Sequence, residues 1–329
     1  MGRRIVFPER GKVALLNFEP RAPEAGEVQV RSRYSLVSIG TETTILHAKY
    51  ATDTHFAQRF SFPQMKTGVQ SVAVVETVGS GVSEFAAGDS VFMRMGHTSH
   101  WTLDAALCSP VPALPDLKPA CWCGLAKTAF RAAHMAPFTL GGQALIIGAG
   151  PVGQMALRWA KASGMRSIVV VDTPPLRLAL AGRGGATALI AGELDAARER
   201  LLELSGGGFE IVVDTTGNAT VFGQALGVVA QYGKLVLLGD TGFPAQQHLG
   251  SDMMTRGLTV VAVHDHHDRG GWTQRRIDAL FFKLLQDGSF PLEGLITHEF
   301  APEACEDAYE LASERRAEAV GIVFDWTRS

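Results

Sequence analysis

The sequence predicts an α/β chain of two domains, an irregular, mostly antiparallel β-domain followed by a doubly wound parallel sheet. Three observations carry this expectation: a length of 329 residues, a change of texture near residue 119, and five later apolar runs that alternate with helical stretches. That length suffices for two separate cores. Residues 1–118 are rich in short β-branched runs broken by Gly and Pro, such as GEVQVRSRYSLVSIG, SVAVVETVGSGV and GDSVFMRMG. Runs of this kind form strands joined by tight turns. Residues 120–135 have few breakers and predict a helix. ALIIGAGPVG, SIVVVDT, EIVVDTTG, KLVLLGD and LTVVAV then alternate with helical segments, the pattern of parallel strands covered on both faces. After a polar stretch, HDHHDRGG, come the amphipathic TQRRIDALFFKLLQDG, a helical segment at 302–313 and a last apolar run, AVGIVFDW.

Composition removes several classes of function. With 30 Lys and Arg against 33 Asp and Glu, a net charge of −3 gives no basic footprint for nucleic acid. The charged N-terminus MGRRIVFPERGK is not followed by an apolar run of signal-peptide length. Runs such as 144–147 and 168–171 are too short to cross a bilayer. Cys108, Cys121, Cys123 and Cys305 are too few and too unevenly spaced for a disulfide framework, so a reducing cytoplasm is expected.

One motif carries chemistry. Gly148-Ala-Gly150-Pro151-Val152-Gly153 follows an apolar strand and opens the helical stretch QMALRWAKASG. In that context the first glycine permits a tight turn, the second lets backbone approach a pyrophosphate, and the third allows close helix–strand packing. The helix N-terminus adds free N–H groups and a partial positive charge. Asp172 ends the next strand, 19 residues after Gly153 by position. A carboxylate there accepts hydrogen bonds from ribose hydroxyls and repels a 2′-phosphate, so NAD is the expected cofactor.

From Pro20 to Trp326 the chain resembles the medium-chain dehydrogenase/reductase superfamily, through SLVSIGTET, VVETVGSGVSEFAAGDSV, the nucleotide fold with VVDTTGN, and LEGLITHEFAPEACEDAYEL. The resemblance implies a GroES-like catalytic domain over 1–118, a Rossmann domain over 119–270, and a helix followed by the C-terminal return to the catalytic domain over 271–329. The active site would lie in the cleft between them. It also implies that Arg177 reaches the adenosine ribose, that Thr128, Thr216 and Gly239 line the cofactor, and that LTVVAV joins two copies in a homodimer.

The departures from the family are as informative. The zinc-ligand positions of metal-dependent members hold Ile39, Val69 (in Gly68-Val69-Gln70) and Gly124, and none of these can donate to Zn²⁺. The four-cysteine lobe expected around 80–105 is missing, and Cys121 and Cys123 are expected to be small apolar helix residues. No metal is therefore expected. Stabilisation of an alkoxide and a path for its proton must come from side chains. Thr41 stands at the proton-passing hydroxyl, and Lys127, beside Thr128, is the cation nearest the vacated site along the chain. Glu42 is expected to orient its neighbours, and His47 lies where sugar and polyol members often carry histidine. His264, Asp265 and His267, in the loop HDHHD at the carboxyl end of a strand, are placed to bind hydroxyls or relay protons. His97 and His100 are further candidates on the β-domain.

The sequence thus predicts a zinc-independent, NAD-dependent dehydrogenase oxidising a secondary alcohol of a polyhydroxylated small molecule, a sugar or cyclitol. Three alternatives stay open: a dehydrogenase of a hydroxyethyl group on a bacteriochlorophyll precursor, a zinc-free enone or quinone reductase, and a nucleotide-binding sensor without turnover.

Overall fold

The computed structural model describes residues 1–328. Its six-stranded sheet is parallel throughout, in the order Ala188–Ala191, Ser167–Asp172, Gln143–Ile147, Phe209–Asp214, Val229–Leu237, Thr259–Ala262. Numbered along the chain, that order is 3-2-1-4-5-6, with the reversal beside Gln143–Ile147. Alternation within the strands shows why both faces are covered. Ala144 and Ile146 join one apolar cluster with Met155, Trp159 and Phe281, whereas Leu145 and Ile147 join another with Leu201, Phe222 and Leu226.

The first domain is a seven-stranded sheet. Ile296–Phe300, Gly321–Asp325, Glu27–Leu36, Ser71–Val78, Ser90–Met93 and Cys108–Pro110 pair in that order, and His100–Asp104 also pairs with Glu27–Leu36. Every pairing is antiparallel except that of Ile296–Phe300 with Gly321–Asp325. The chain's last strand therefore completes the domain that its first residues begin, with Phe324 opposite Ser35.

One helix differs in detail from its sequence expectation. Pro119 starts a 3₁₀ turn, Lys118–Trp122, and the α-helix begins only at Cys123 and runs to Met135. Its third N–H, that of Leu125, is met by Gln70 Oε1 at 3.1 Å, so a side chain from the first domain caps a helix leading to the second. The segment after residue 271 begins with a helix before the chain returns to the first domain. Thr273 caps the helix Gln274–Gln286, whose Ile277, Phe281 and Phe282 pack with Phe130, Trp159 and Phe290 on the nucleotide side. Burying each phenylalanine there contributes about 1.5–3 kcal/mol. The return starts at Ile296.

The four cysteines are free and buried. Burial pushes the thiols of Cys121 and Cys123 up, the latter with help from Asp278, so both are inert apolar helix residues as the sequence suggests. Among the described residues no helix is long and apolar enough to cross a membrane.

Candidate active site

The carboxyl ends of the parallel strands face the first domain, and the glycine turn lies at the reversal of strand order. Gly148 adopts φ +88°, and a Cβ at Gly153 would stand 1.9 Å from the Gly148 carbonyl oxygen, so neither accepts a side chain. At Gly150 the nearest atom to an added Cβ is 4.0 Å away, on Arg177, which leaves the helix N-terminus of Pro151–Ala162 open to a ligand. Asp172 Oδ2 accepts from the Ala149 N–H at 2.8 Å and Oδ1 from Thr173 N–H at 2.7 Å. These contacts hold the carboxylate beside the turn.

Two arginines flank Asp172. Arg177 Nη1 stands 3.9 Å from Asp172 Oδ2 and its other nitrogen donates to the Arg316 carbonyl. The Arg316 side chain feels the Asp172 charge too, and a Cβ added to Gly40 would lie 3.7 Å from its guanidinium. Arg316 was not foreseen. It lies in the C-terminal return, distant in sequence from the glycine motif. Thr216 and Gly239 sit over the same strand ends: Thr216 Oγ1 donates to Asp214 Oδ1 at 2.6 Å, and Gly239 N–H to the Asp214 carbonyl at 2.9 Å.

The three family zinc positions offer no donor side chain. Ile39 and Gly124 are buried and Val69 is half-buried. What stands before Gly124 is a guanidinium. A Cβ there would meet Arg94 Nη1 at 2.8 Å, and Arg94 donates to the Gly124 carbonyl at 3.1 Å. Zinc does not fit this donor set. Arg94 also donates to Asp265 Oδ2 at 2.7 Å, while Lys127 Nζ lies 3.3 Å and Thr128 Oγ1 3.2 Å from Asp265 Oδ1. Lys127 is 4% exposed and is no surface lysine. Burial lowers its pKa, and Asp265 opposes that only in part. Burial pushes the Asp265 carboxyl up, but Arg94 and Lys127 outweigh it and hold it below the usual value. One carboxylate thus serves two basic side chains in front of Gly124. Arg94 was missed as well; its only sequence signal is a charge inside the apolar run VFMRM.

This geometry corrects the reading of the HDHHD loop. Asp265, expected to bind substrate hydroxyls, has both oxygens engaged by Arg94, Lys127 and Thr128. Asp268 pairs with buried Arg131, one helical turn beyond Lys127. Both acids therefore fasten the loop to the helix Cys123–Met135, and the histidines are what the loop offers elsewhere. The His264 ring is half-buried, 5.9 Å from His55 and 5.1 Å from His266. Burial and the neighbouring His266 lower its pKa. His267 Nδ1 accepts from the His264 N–H at 3.2 Å.

Glu42 is sealed inside the first domain. Ser38 N–H donates to Oε1 at 2.6 Å, His97 Nε2 lies 3.0 Å from Oε2, and Tyr309 O–H donates to the same oxygen. His97 Nδ1 contacts Ser35 Oγ at 2.7 Å, and its ring fills the space that Gly68 leaves by lacking a Cβ. Burial raises the Glu42 pKa, but His97, Tyr309 and Ser38 pull it below its ordinary value. This knot anchors the helix Ile39–Leu46 that carries half-buried Thr41. His47, at the far end of that helix, contacts Ser313 Oγ at 2.9 Å. His100 contacts Ser99 Oγ at 2.9 Å and Glu76 at 3.7 Å, in a cavity lined by Arg3, Arg31 and Trp326 of the first domain. The structure brings together Lys127, Thr128 and Asp265; it places His47 and His100 apart from them.

Comparison with known proteins agrees with the geometry. A family model described as zinc-binding dehydrogenase matches residues 151–268, a span that includes none of Ile39, Val69 and Gly124. The L-threonine 3-dehydrogenase of Bacillus velezensis is 33% identical over 172 residues, 52% of this chain and 48% of that one. The chain thus spans about half the length of this curated relative in the match. The enzyme of the same name from Anaeromyxobacter sp. is 28% identical over 98% of this chain and 99% of its own. Among solved structures, an Escherichia coli oxidoreductase/dehydrogenase of unknown specificity superposes with a TM-score of 0.86 at 21% identity, covering 98% of this chain and 99% of that one. With its parallel sheet, its glycine turn and its split β-domain, the chain is similar over nearly its whole length to proteins of this kind, and the matches together support the medium-chain dehydrogenase/reductase superfamily.

Proposed function

We propose that this chain is a zinc-independent, NAD-dependent dehydrogenase that oxidises a secondary alcohol of a polyhydroxylated small molecule. The observation that carries the reading is the Arg94 guanidinium in front of Gly124, beside Lys127 and Thr128. NAD, when bound, supplies the acceptor for the hydride that leaves the alcohol carbon. The glycine turn of Gly148, Gly150 and Gly153, with Pro151 and Val152 opening the helix, would hold its pyrophosphate. Asp172 would take the ribose hydroxyls, and Arg177, Thr128, Thr216 and Gly239 would line the rest. The chain's own residues manage the proton and the charge. Lys127, whose pKa burial lowers, takes the hydroxyl proton in its deprotonated form, directly or through Thr41. Arg94 and the newly protonated Lys127 oppose the negative charge that develops on oxygen. Glu42 holds the Thr41 helix in place, and His264 and His267 offer hydrogen bonds to further hydroxyls.

If Asp172 reads the ribose, the intact protein binds NAD more tightly than NADP, and Asp172→Ser narrows that gap by about 1–3 kcal/mol through lost repulsion of a 2′-phosphate. Fluorescence titration with both cofactors measures it; equal affinity of the intact protein refutes the assignment, because Arg177 and Arg316 would then be serving a phosphate.

Removing metal should not lower turnover. Protein dialysed against a strong chelator is expected to retain at least its full rate with the alcohol it oxidises. A loss restored only by Zn²⁺ would show that a metal takes part after all. The substrate class is tested with a panel of polyols, cyclitols and L-threonine, followed by cofactor absorbance. The relatives' names favour a second reading, a β-hydroxy amino acid, and turnover of L-threonine without any polyol would select it. The free edge of Thr259–Ala262 suits pairing with a second copy, and the four free cysteines suit the cytoplasm.

A further inference from the structure

His55, Asp240 and His264 come from three separate segments. His55 opens the short helix His55–Arg59 of the first domain, Asp240 follows the fifth strand of the parallel sheet, and His264 follows the sixth. One ligand atom of each lies within 4.8 Å of the others. His55 Nε2 stands 3.0 Å from Asp240 Oδ2, and its ring lies 4.3 Å from that of Phe56. The loops that carry them touch nearby: the Ala51 N–H donates to the Gly242 carbonyl at 2.8 Å, and Arg59 reaches His266 at 3.4 Å. None of the three residues belongs to the family's zinc positions.

We propose that these three side chains form a divalent transition-metal site that ties the two domains together across the mouth of the cleft. Two imidazoles and a carboxylate are a donor set for Zn²⁺ or Co²⁺ rather than for Mg²⁺ or Ca²⁺, which prefer oxygen ligands. Bonds of ~2.1 Å at tetrahedral angles put donor atoms ~3.4 Å apart. The His55–Asp240 pair already meets that spacing, with the cation replacing the shared proton. The third donor closes by a rotation of side chains that are exposed or half-buried. His266, 5.1 Å from His264 between ring centroids, or a water completes the shell. Because the ligands span both domains, occupancy resists opening. The metal then acts as a brake on cofactor exchange, and the chemistry does not need it.

The test is a Co²⁺ titration of the chelator-treated, full-length protein, followed by visible absorption, with Zn²⁺ equilibrium dialysis in parallel. One Co²⁺ per chain in a tetrahedral spectrum is expected. His55→Ala and Asp240→Asn should each weaken binding by at least the ~10–100-fold that loss of even an outer-shell partner costs, while the exposed His248→Ala leaves it unchanged. NAD binding by His55→Ala serves as the check on folding. Stopped-flow release of NADH should slow several-fold with Zn²⁺ in the parent and not in His55→Ala. Binding that survives His55→Ala but is lost on changing His266 and His267 together would place the metal within one loop and overturn the interdomain site. So would absence of stoichiometric binding. Metal binding with unchanged NADH release would overturn the brake. Failure of the site leaves the proposed dehydrogenase chemistry untouched, since that is read on metal-free protein.

Discussion

Lys127→Met is expected to cut turnover by about 10²–10⁴-fold, the contribution of a general base. NAD affinity should stay nearly constant, because Lys127 pairs with Asp265 and Gln274 and not with the glycine turn. Methionine keeps the bulk of the buried stem and removes the titrating group. The pH profile gives a sharper reading. A base must be deprotonated, so the parent's rate rises with pH through the lowered Lys127 pKa, and that limb disappears in the variant. His264→Gln should act mainly on substrate affinity. If Lys127→Met turns over within a few-fold of the parent, the lysine is only the counter-ion of Asp265 and the base lies elsewhere.

Glu42→Gln is expected to destabilise the protein by about 1.5–3 kcal/mol, the worth of buried hydrogen bonds to a charged group. The melting temperature should fall by about 2–5 °C. His97 and Tyr309, both buried, lose a charged acceptor, whereas NAD binding on the other domain should persist. Acid should have the same effect on the parent. His97, Tyr309 and Ser38 hold the folded-state pKa of Glu42 below its ordinary value. Its contribution is therefore full above that value and is lost as pH falls through the lowered one. Glu42→Gln should flatten that acid limb. Denaturation followed at several pH values checks both effects, and a variant as stable as the parent at neutral pH would show that the knot contributes nothing. A double variant with His97→Gln should cost less than the two single changes together, because they share one interaction.

The parts of this molecule that were legible in the sequence are those written locally. The glycine turn, Asp172 and the alternation of apolar strands with helices each lie within a window of a few tens of residues, and the observed strand order follows from them. Ile39, Val69 and Gly124, expected at the zinc positions of metal-dependent relatives, are local too, and none of their side chains can donate to a metal. What filled the space was not legible. Arg94 and Asp265 lie 171 residues apart and meet only because the sixth parallel strand ends against the first domain. Without Arg94 in view, the acids of HDHHD look free to bind substrate, whereas each answers a cation on the helix Cys123–Met135. Arg316 escaped notice similarly, since it lies in the returning segment far from the glycine motif.

The strand Gly321–Asp325, which lies against Glu27–Leu36, bears on how the chain is made. Trp326 donates to Ser35 Oγ across 291 positions of sequence. A nascent chain emerging from the ribosome holds every strand of the parallel sheet long before it holds this one. The nucleotide-binding half can therefore fold during synthesis, while the first hundred residues wait with an open sheet edge until the last ten arrive. Closing so long a loop costs little more than closing a shorter one, because the entropy grows only logarithmically, provided the intervening domain has already condensed. Truncation by a dozen residues at the C-terminus should accordingly leave a protein that still binds dinucleotide but exposes the Glu27–Leu36 edge, and that aggregates through it.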